Sequence, residues 1–164
     1  MILLLALGCG PEPTLIDGQV NGESLNEPLT AFWGGPFVLF TDKSLSCFEV
    51  DWVRRTYDAA EAPTDFDFVG LQFSFDNTEP VAGTFSVEGT NAAVSAKALV
   101  VTGGAFVEAR GRTGNLVVDG GFEEDDWMFG SFDVDFGVDS DDNPKGSYSS
   151  SAFGTVYCNN LVRN

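Results

Sequence analysis

Phe132–Val138, with the sequence FDVDFGV, is the stretch that decides the fold. Its apolar residues stand at every second position, and Asp133 and Asp135 occupy two of the positions between them. Because successive side chains of a strand point to opposite faces, this pattern predicts a strand with one face in the core and the other in water. No stretch of eleven or more residues shows a convincing apolar stripe with the 3.6-residue period of an amphipathic helix. The chain is therefore expected to build its core from strands.

Strand-like runs recur through the rest of the chain, with glycine-rich turns between several of them. They are Leu29–Trp33, Phe37–Thr41, Cys47–Val53, Leu71–Phe75, Thr84–Glu88, Ala93–Val101, Ala105–Arg110, Leu116–Val118 and Gly146–Tyr157. Many short strands at a spacing of about 8–12 residues are typical of an antiparallel sandwich or barrel. We predict an all-β antiparallel β-sandwich, with a small β-barrel as the alternative.

Three irregular features are predicted within this pattern. The Asn-Gly dipeptide in Val20–Glu23 favours a tight hairpin turn. Phe129 lies in the opposite alternation frame to Phe132, and a β-bulge near Gly130–Ser131 would reconcile the two. The polar segment Asp139–Lys145 is predicted to be the hairpin loop before the last strand.

The composition indicates a folded and strongly acidic domain. Of the 164 residues, 43% are hydrophobic and 15 are phenylalanine, which argues against disorder and for a packed core. We assign residues 19–164 to a single domain. The formal net charge of −17 repels nucleic acid phosphates and anionic lipid headgroups. Nucleic acid is therefore excluded as a partner.

The segment Met1–Cys9, MILLLALGC, is uncharged and apolar up to Gly8-Cys9, and proline-rich sequence follows it. This pattern predicts a lipoprotein signal peptide over residues 1–8, with Cys9 as the lipidated residue and residues 9–18 as a tether. The run is too short to cross a membrane as a helix, which needs about 20 apolar residues. We therefore expect the chain to meet the membrane through a lipid anchor only.

Two cysteines, Cys47 and Cys158, remain once Cys9 is assigned to lipidation. An even number of cysteines in an exported protein indicates a disulfide, because export leads to an oxidising compartment. We predict one disulfide, Cys47–Cys158.

No catalytic residue is predicted. The chain contains no histidine, which excludes Ser-His-Asp and Cys-His machinery and histidine-based zinc sites. The third hypothesis is a glycan hydrolase that uses two carboxyl groups as acid and base. Its candidate residues are Glu123–Asp126 and the pair Asp133 and Asp135. A run of four acids and acids on a polar strand face are typical of solvated surface instead.

Two groups of residues are candidates for ligand binding. Asp139, Asp141 and Asn143 have the DxDxN spacing of a calcium loop, although proline stands where that loop needs glycine. Trp33 and Trp127 are candidates for stacking on a glycan, because we expect both near the surface. No cofactor is predicted, and Ca²⁺ is the single alternative.

Four short motifs together resemble a group of small lipoproteins of unknown function from soil and predatory bacteria of the myxobacterial type. They are LALGC at residues 5–9, GQVNG at 18–22, GSFDV at 130–134 and GTVYC at 154–158. The resemblance implies an outer-membrane lipoprotein with a β-sandwich domain, facing either the periplasm or the cell surface, and it implies no activity. Gly10 after the cysteine, rather than aspartate, matches the outer-membrane sorting pattern of enteric bacteria.

The sequence as a whole favours a lipid-anchored structural or interaction domain of the bacterial cell envelope, without catalytic activity. Its partner would be an envelope protein or a glycan. The alternative is a ligand-binding module for glycan or calcium.

Overall fold

The computed structural model describes residues 14–27, 29–50, 53–54, 66–76, 80–87, 93–120, 127–138 and 141–161. These residues form nine β-strands and a 3-10 turn, Asn159–Leu161. The strands are β1 (Asp17–Val20), β2 (Thr30–Gly34), β3 (Phe37–Thr41), β4 (Phe68–Phe75), β5 (Gly83–Ser86), β6 (Val94–Thr102), β7 (Ala105–Gly120), β8 (Trp127–Val138) and β9 (Asp141–Tyr157). The prediction of an all-β fold is confirmed.

Within the described residues, seven of the strands close into a barrel in the order β9-β2-β3-β4-β6-β7-β8, and β8 pairs with β9 again. Neighbours in this ring are antiparallel except for β2 and β9, which run parallel through Phe32 opposite Val156 and Trp33 opposite Tyr157. This short parallel contact closes the ring.

The two longest strands carry the extra strands that lie outside the ring. β7 pairs with β6 over its first half and with β5 through Asn115–Val118, while β9 pairs with β1 through Gly146–Ser149 and with β2 near its end. Each of these two long strands therefore pairs with different neighbouring strands along its length. This sharing replaces the predicted sandwich with a barrel, because no gap is left at which two separate sheets would begin.

The interior of the barrel is filled by side chains, as expected for a barrel of this size. Phe40 from β3 lies at its centre, with ring centroids 6.4 Å from Phe73, 5.6 Å from Phe132 and 5.3 Å from Phe153. These partners belong to β4, β8 and β9, and all four rings are buried. The alternation of FDVDFGV thus turns the Phe132 ring into the interior, where it packs against rings from β3, β4 and β9.

A second apolar layer covers the outer face of β3, β4 and β6. Leu39, Phe68 and Leu99 point outward from these strands and pack with Val50 and other residues of this layer. The prediction of a strand over Cys47–Val53 is wrong, because residues 47–50 and 53–54 are helical.

The helical start is explained by a capping box at Ser46 and Glu49. The Ser46 backbone N–H donates to Glu49 Oε2 over 2.8 Å, and the Glu49 N–H lies 3.4 Å from Ser46 Oγ. Hydrogen bonds from the Ser46 side chain and backbone hold the pKa of the Glu49 carboxyl below its ordinary value. This reciprocal cap satisfies two backbone donors and favours helix over the competing period-two pattern.

The Cys47–Cys158 disulfide ties this outer layer to the end of β9. The two Cα atoms lie 5.4 Å apart across a sequence separation of 111 residues. Cys158 is buried, and its backbone N–H donates to the carbonyl oxygen of Trp33 over 2.7 Å. The predicted disulfide is therefore confirmed, and it lies beside the parallel contact that closes the barrel.

Two of the three predicted irregular features are present as expected. The Val20–Glu23 turn is closed by backbone hydrogen bonds, with φ of 55° at Asn21 and 84° at Gly22, as an Asn-Gly hairpin turn requires. The β8–β9 register shifts between Gly130 and Phe132, which is the predicted bulge. The loop predicted over Asp139–Lys145 is shorter than expected, because β9 begins at Asp141.

Tyr148 is the buried side chain that should make the fold sensitive to alkali. Its hydroxyl donates to the carbonyl oxygen of Glu23 over 2.8 Å, and burial raises the pKa of the phenol above its ordinary value. Because the folded pKa is raised, the neutral phenol stabilises the fold fully below the unfolded pKa of about 10, and this contribution is lost as the pH rises above it.

We expect Tyr148→Phe to lower the free energy of unfolding by about 1 kcal/mol at pH 7, because the Glu23 carbonyl loses the phenol as a donor and keeps only the Val20 N–H. The variant should also lose less stability than the wild type between pH 9 and about 11.5. Urea unfolding at a series of pH values measures both effects. Parallel pH profiles for the two proteins would show that ionisation of Tyr148 does not cause the loss of stability in alkali.

Candidate functional site

Three exposed apolar side chains form a row on the outer surface of β8 and β9. Trp127, Phe129 and Val156 are 39%, 42% and 36% exposed. Trp127 is directly opposite Val156 in the β8–β9 register, and Phe129 is opposite Gly154. We call these three residues the aromatic row. Contiguous exposed apolar side chains of this kind mark interaction sites more often than isolated ones do.

Strand alternation turns the aromatic row outward. Met128, between Trp127 and Phe129, is fully buried, and so is Thr155 next to Val156. The bulge after Gly130 then changes the frame, so that Phe132 points inward. One half of β8 therefore presents aromatic side chains to the outside, and the other half presents acidic ones.

Gly130 allows this change of frame to occur. A Cβ atom at Gly130 would collide with the carbonyl oxygen of Val117, and it would lie 2.7 Å from the Phe153 ring. Any other residue would thus push β8 away from both of its neighbours.

The described chain begins beside the aromatic row. The Thr14 hydroxyl donates to the Gly154 carbonyl oxygen over 3.1 Å and accepts from the Gly154 N–H over 3.0 Å. The Ser150 hydroxyl donates to the carbonyl oxygen of Leu15, which is itself an exposed apolar residue. These contacts fix Thr14 on one edge of β9, while Phe129 lies across the other edge from the same glycine.

The two predicted tryptophans do not form a shared exposed platform. Trp33 is only 2% exposed, and its ring meets the Tyr157 ring edge-on at 4.9 Å in the interior. The expectation that Trp33 lies near the surface is therefore wrong, since its position on β2 turns it into the core. Of the two, only Trp127 is exposed.

The predicted calcium residues fall at the edge of what the structure describes. Asp139 lies outside the described residues, and Asp141 and Asn143 lie on β9 with side chains outside that description. The described part of the chain contains no group of three aspartate, glutamate, cysteine or histidine side chains placed to hold a metal ion.

Of the candidate acids for catalysis, the structure describes only Asp133 and Asp135. Glu123–Asp126 lies outside the described residues, as do Cys9 and the signal segment. Asp133 and Asp135 are exposed on the outer face of β8, where Thr113 donates to Asp135 over 3.3 Å. Exposed carboxylates of this kind are solvated, whereas an acid/base hydrolase holds its two carboxyl groups around a bound sugar.

Sequence reasoning identified Trp127 and missed Phe129 and Val156. The signal for Phe129 was present, because its frame differs from that of Phe132 and agrees with that of Trp127. Val156 gave no signal of its own, since exposed and buried valines look alike in a strand. Only the β8–β9 register places it opposite Trp127.

Comparison with known proteins leaves the chain's own residues as the basis for its function. No family model, no curated protein and no solved structure matches it. Among the residues that the structure describes, no helix has the length and apolar character needed to span a membrane.

Proposed function

We propose that this chain is a lipid-anchored interaction domain of the bacterial cell envelope, without catalytic activity. The observation that carries the proposal is the apolar run Met1–Cys9, which stops at a cysteine preceded by glycine and gives way to proline-rich sequence. A cysteine carrying a diacylglyceryl group and an N-acyl chain holds a protein stably on a membrane, because more than one acyl chain is buried.

The Cys47–Cys158 disulfide supports an exported location. Structural disulfides persist in oxidising compartments such as the periplasm and the cell surface, and they are rare in the reducing cytosol. Its position between the outer layer and the barrel gives it a structural use. We propose the outer membrane as the destination, in keeping with Gly10 after the cysteine.

The barrel and its surface support binding over catalysis. The interior is filled by phenylalanine and other apolar side chains, and the exposed acids Asp133 and Asp135 face solvent. The aromatic row is the exposed apolar feature that suits a binding role. The net charge of −17 disfavours nucleic acid as the partner.

We expect Cys9→Ser to abolish lipidation, because the acyl chains are attached through the cysteine sulfur and through the amino group freed by cleavage. Growth of expressing bacteria with radiolabelled palmitate should label the wild-type chain and not the variant. The variant should also leave the membrane fraction, since the anchor supplies the membrane affinity.

Pro11→Ser is the matched control, because it alters the tether and keeps Cys9. It should be labelled like the wild type. A wild-type chain without label, or a Cys9→Ser variant with label, would overturn the proposed anchoring.

A further inference from the structure

We propose that the aromatic row rests on the surface of the bilayer that holds the lipid anchor. The occupant of this surface is a zwitterionic phospholipid membrane, which Trp127, Phe129 and Val156 contact directly. The barrel then lies with the Trp127 end of β8 against the lipid and does not swing freely on its tether. This inference rests on the proposed lipidation of Cys9.

The position of the chain start supports the contact with the membrane. Four residues, 10–13, lie between Cys9 and Thr14, so the two are five residue steps apart and at most about 18 Å apart along an extended chain. Thr14 is hydrogen-bonded to Gly154, and Phe129 is opposite that glycine on the next strand. With strands about 4.8 Å apart, the row begins within roughly 10 Å of Thr14.

Because the tether is short, contact of the row with the lipid costs little free energy. A second binding event in a tethered molecule occurs at an effective concentration in the millimolar range for a short linker. The row therefore needs only weak intrinsic affinity for the membrane to remain in contact. Leu15, next to Thr14 in the chain, is a further exposed apolar side chain.

The chemistry of the row fits a lipid surface. Tryptophan is enriched at membrane–water interfaces, because its ring is apolar and its N–H can still reach a polar partner. Gly154, opposite Phe129, has no side chain, and the nearby Thr14 hydroxyl is already bonded to the Gly154 backbone. A glycan site relies on hydrogen-bonding side chains to orient the sugar.

The charge of the protein selects the type of lipid. Asp133 and Asp135 lie exposed on the same strand as Trp127, beyond the bulge. With a net charge of −17, the domain is repelled by anionic headgroups, and the repulsion extends about a Debye length from the surface. A zwitterionic surface permits the apolar contact without that cost.

Quenching of tryptophan fluorescence by brominated lipid tests the contact. The lipidated full-length protein is reconstituted into phosphatidylcholine vesicles with and without bromine on the acyl chains. Both forms carry Trp52→Phe, because Trp52 lies outside the described residues. We expect clear quenching with Trp127 present and loss of most of it in Trp127→Phe, because the remaining Trp33 is buried inside the barrel. Vesicles containing phosphatidylglycerol should give weaker quenching at low salt.

Two further variants separate contact by the row from simple proximity to the membrane. The double variant Phe129→Ser with Val156→Ser keeps Trp127 and should lose much of the quenching. Val107→Ser is the matched control, because Val107 is 49% exposed on β7, outside the aromatic row, and its replacement should leave the quenching unchanged.

Flotation of the same vesicles distinguishes the possible failures. Protein that floats in a Cys9-dependent manner without quenching of Trp127 would overturn the contact and leave the anchoring intact. Protein that does not float would overturn the anchoring and this inference with it. Unquenched Trp127 whose emission changes on addition of envelope oligosaccharides would assign the row to a glycan instead.

Discussion

Phe40→Ala is expected to lower the free energy of unfolding by about 3–5 kcal/mol, the usual cost of removing a buried phenylalanine ring. Phe40 is fully buried, and its ring contacts rings from three other strands of the barrel. The cavity left behind lies where β3, β4, β8 and β9 meet, so the surrounding wall cannot easily collapse into it. Urea unfolding followed by tryptophan fluorescence measures the loss.

Phe48→Ala provides the matched control for this result. Phe48 is 68% exposed on the helical segment of the outer layer, so its removal should change the stability by no more than about 0.5 kcal/mol. Equal losses in the two variants would contradict the closed aromatic core, because an open sandwich edge at Phe40 would leave that ring partly solvated as well.

The strands were the part of the fold that sequence could predict. In FDVDFGV the period-two pattern and the charged outer positions agree, and β8 forms there with Phe132 and Val134 buried. The bulge at Gly130 was predictable for the same reason, since two frames of alternation cannot coexist in a regular strand. Local patterns of this kind depend only on which face is buried.

Closure of the barrel was not predictable from these patterns. A strand with one buried face looks the same in a sandwich and in a barrel, and the difference lies in which strands pair. Ala105–Arg110 and Leu116–Val118 were predicted as separate strands, whereas β7 runs through both. The parallel contact between Trp33 and Tyr157 joins residues far apart in sequence, and no local signal specifies it.

The segment after Ser46 carries two local patterns, one that favours a strand and one that favours a helix. The alternation in Cys47–Val53 favours a strand, but the Ser46–Glu49 cap satisfies the first backbone donors of a helix. Packing of Val50 and Val53 on the outer layer then adds burial that a strand at this position would have to find elsewhere. Both signals are present in the sequence, and the cap together with the burial of Val50 and Val53 decides for the helix.

The candidate site was predictable only in part. Trp127 was identified because a tryptophan beside an acidic run is expected near the surface, and it is exposed. The same expectation failed for Trp33, since nearby glycines at a turn say nothing about the direction of the side chain. Burial of one and exposure of the other follow from the register of β2, β8 and β9.

Removal of the disulfide is the second substitution with a large expected effect. The double variant Cys47→Ser with Cys158→Ser should lose about 2–5 kcal/mol of stability, because a long loop is no longer closed in the unfolded chain. The separation of 111 residues spans most of the described barrel. Unfolding of the wild type in reducing buffer should give a similar loss. Reduced wild type that retains its full stability would contradict this expectation.

The same double variant should loosen one part of the barrel more than the rest. The Cys158 N–H donates to the Trp33 carbonyl oxygen, directly after the two residue pairs that join β2 to β9 in parallel. Because this contact is short, it depends on the disulfide to hold Cys158 in place against the outer layer. Native-state hydrogen exchange should therefore speed up at residue 158 by more than it does at Leu71, which lies within the long antiparallel ladder of β4 and β6. Equal acceleration at both amides would mean that the disulfide stabilises the barrel only globally, through the unfolded state, and not at its point of closure.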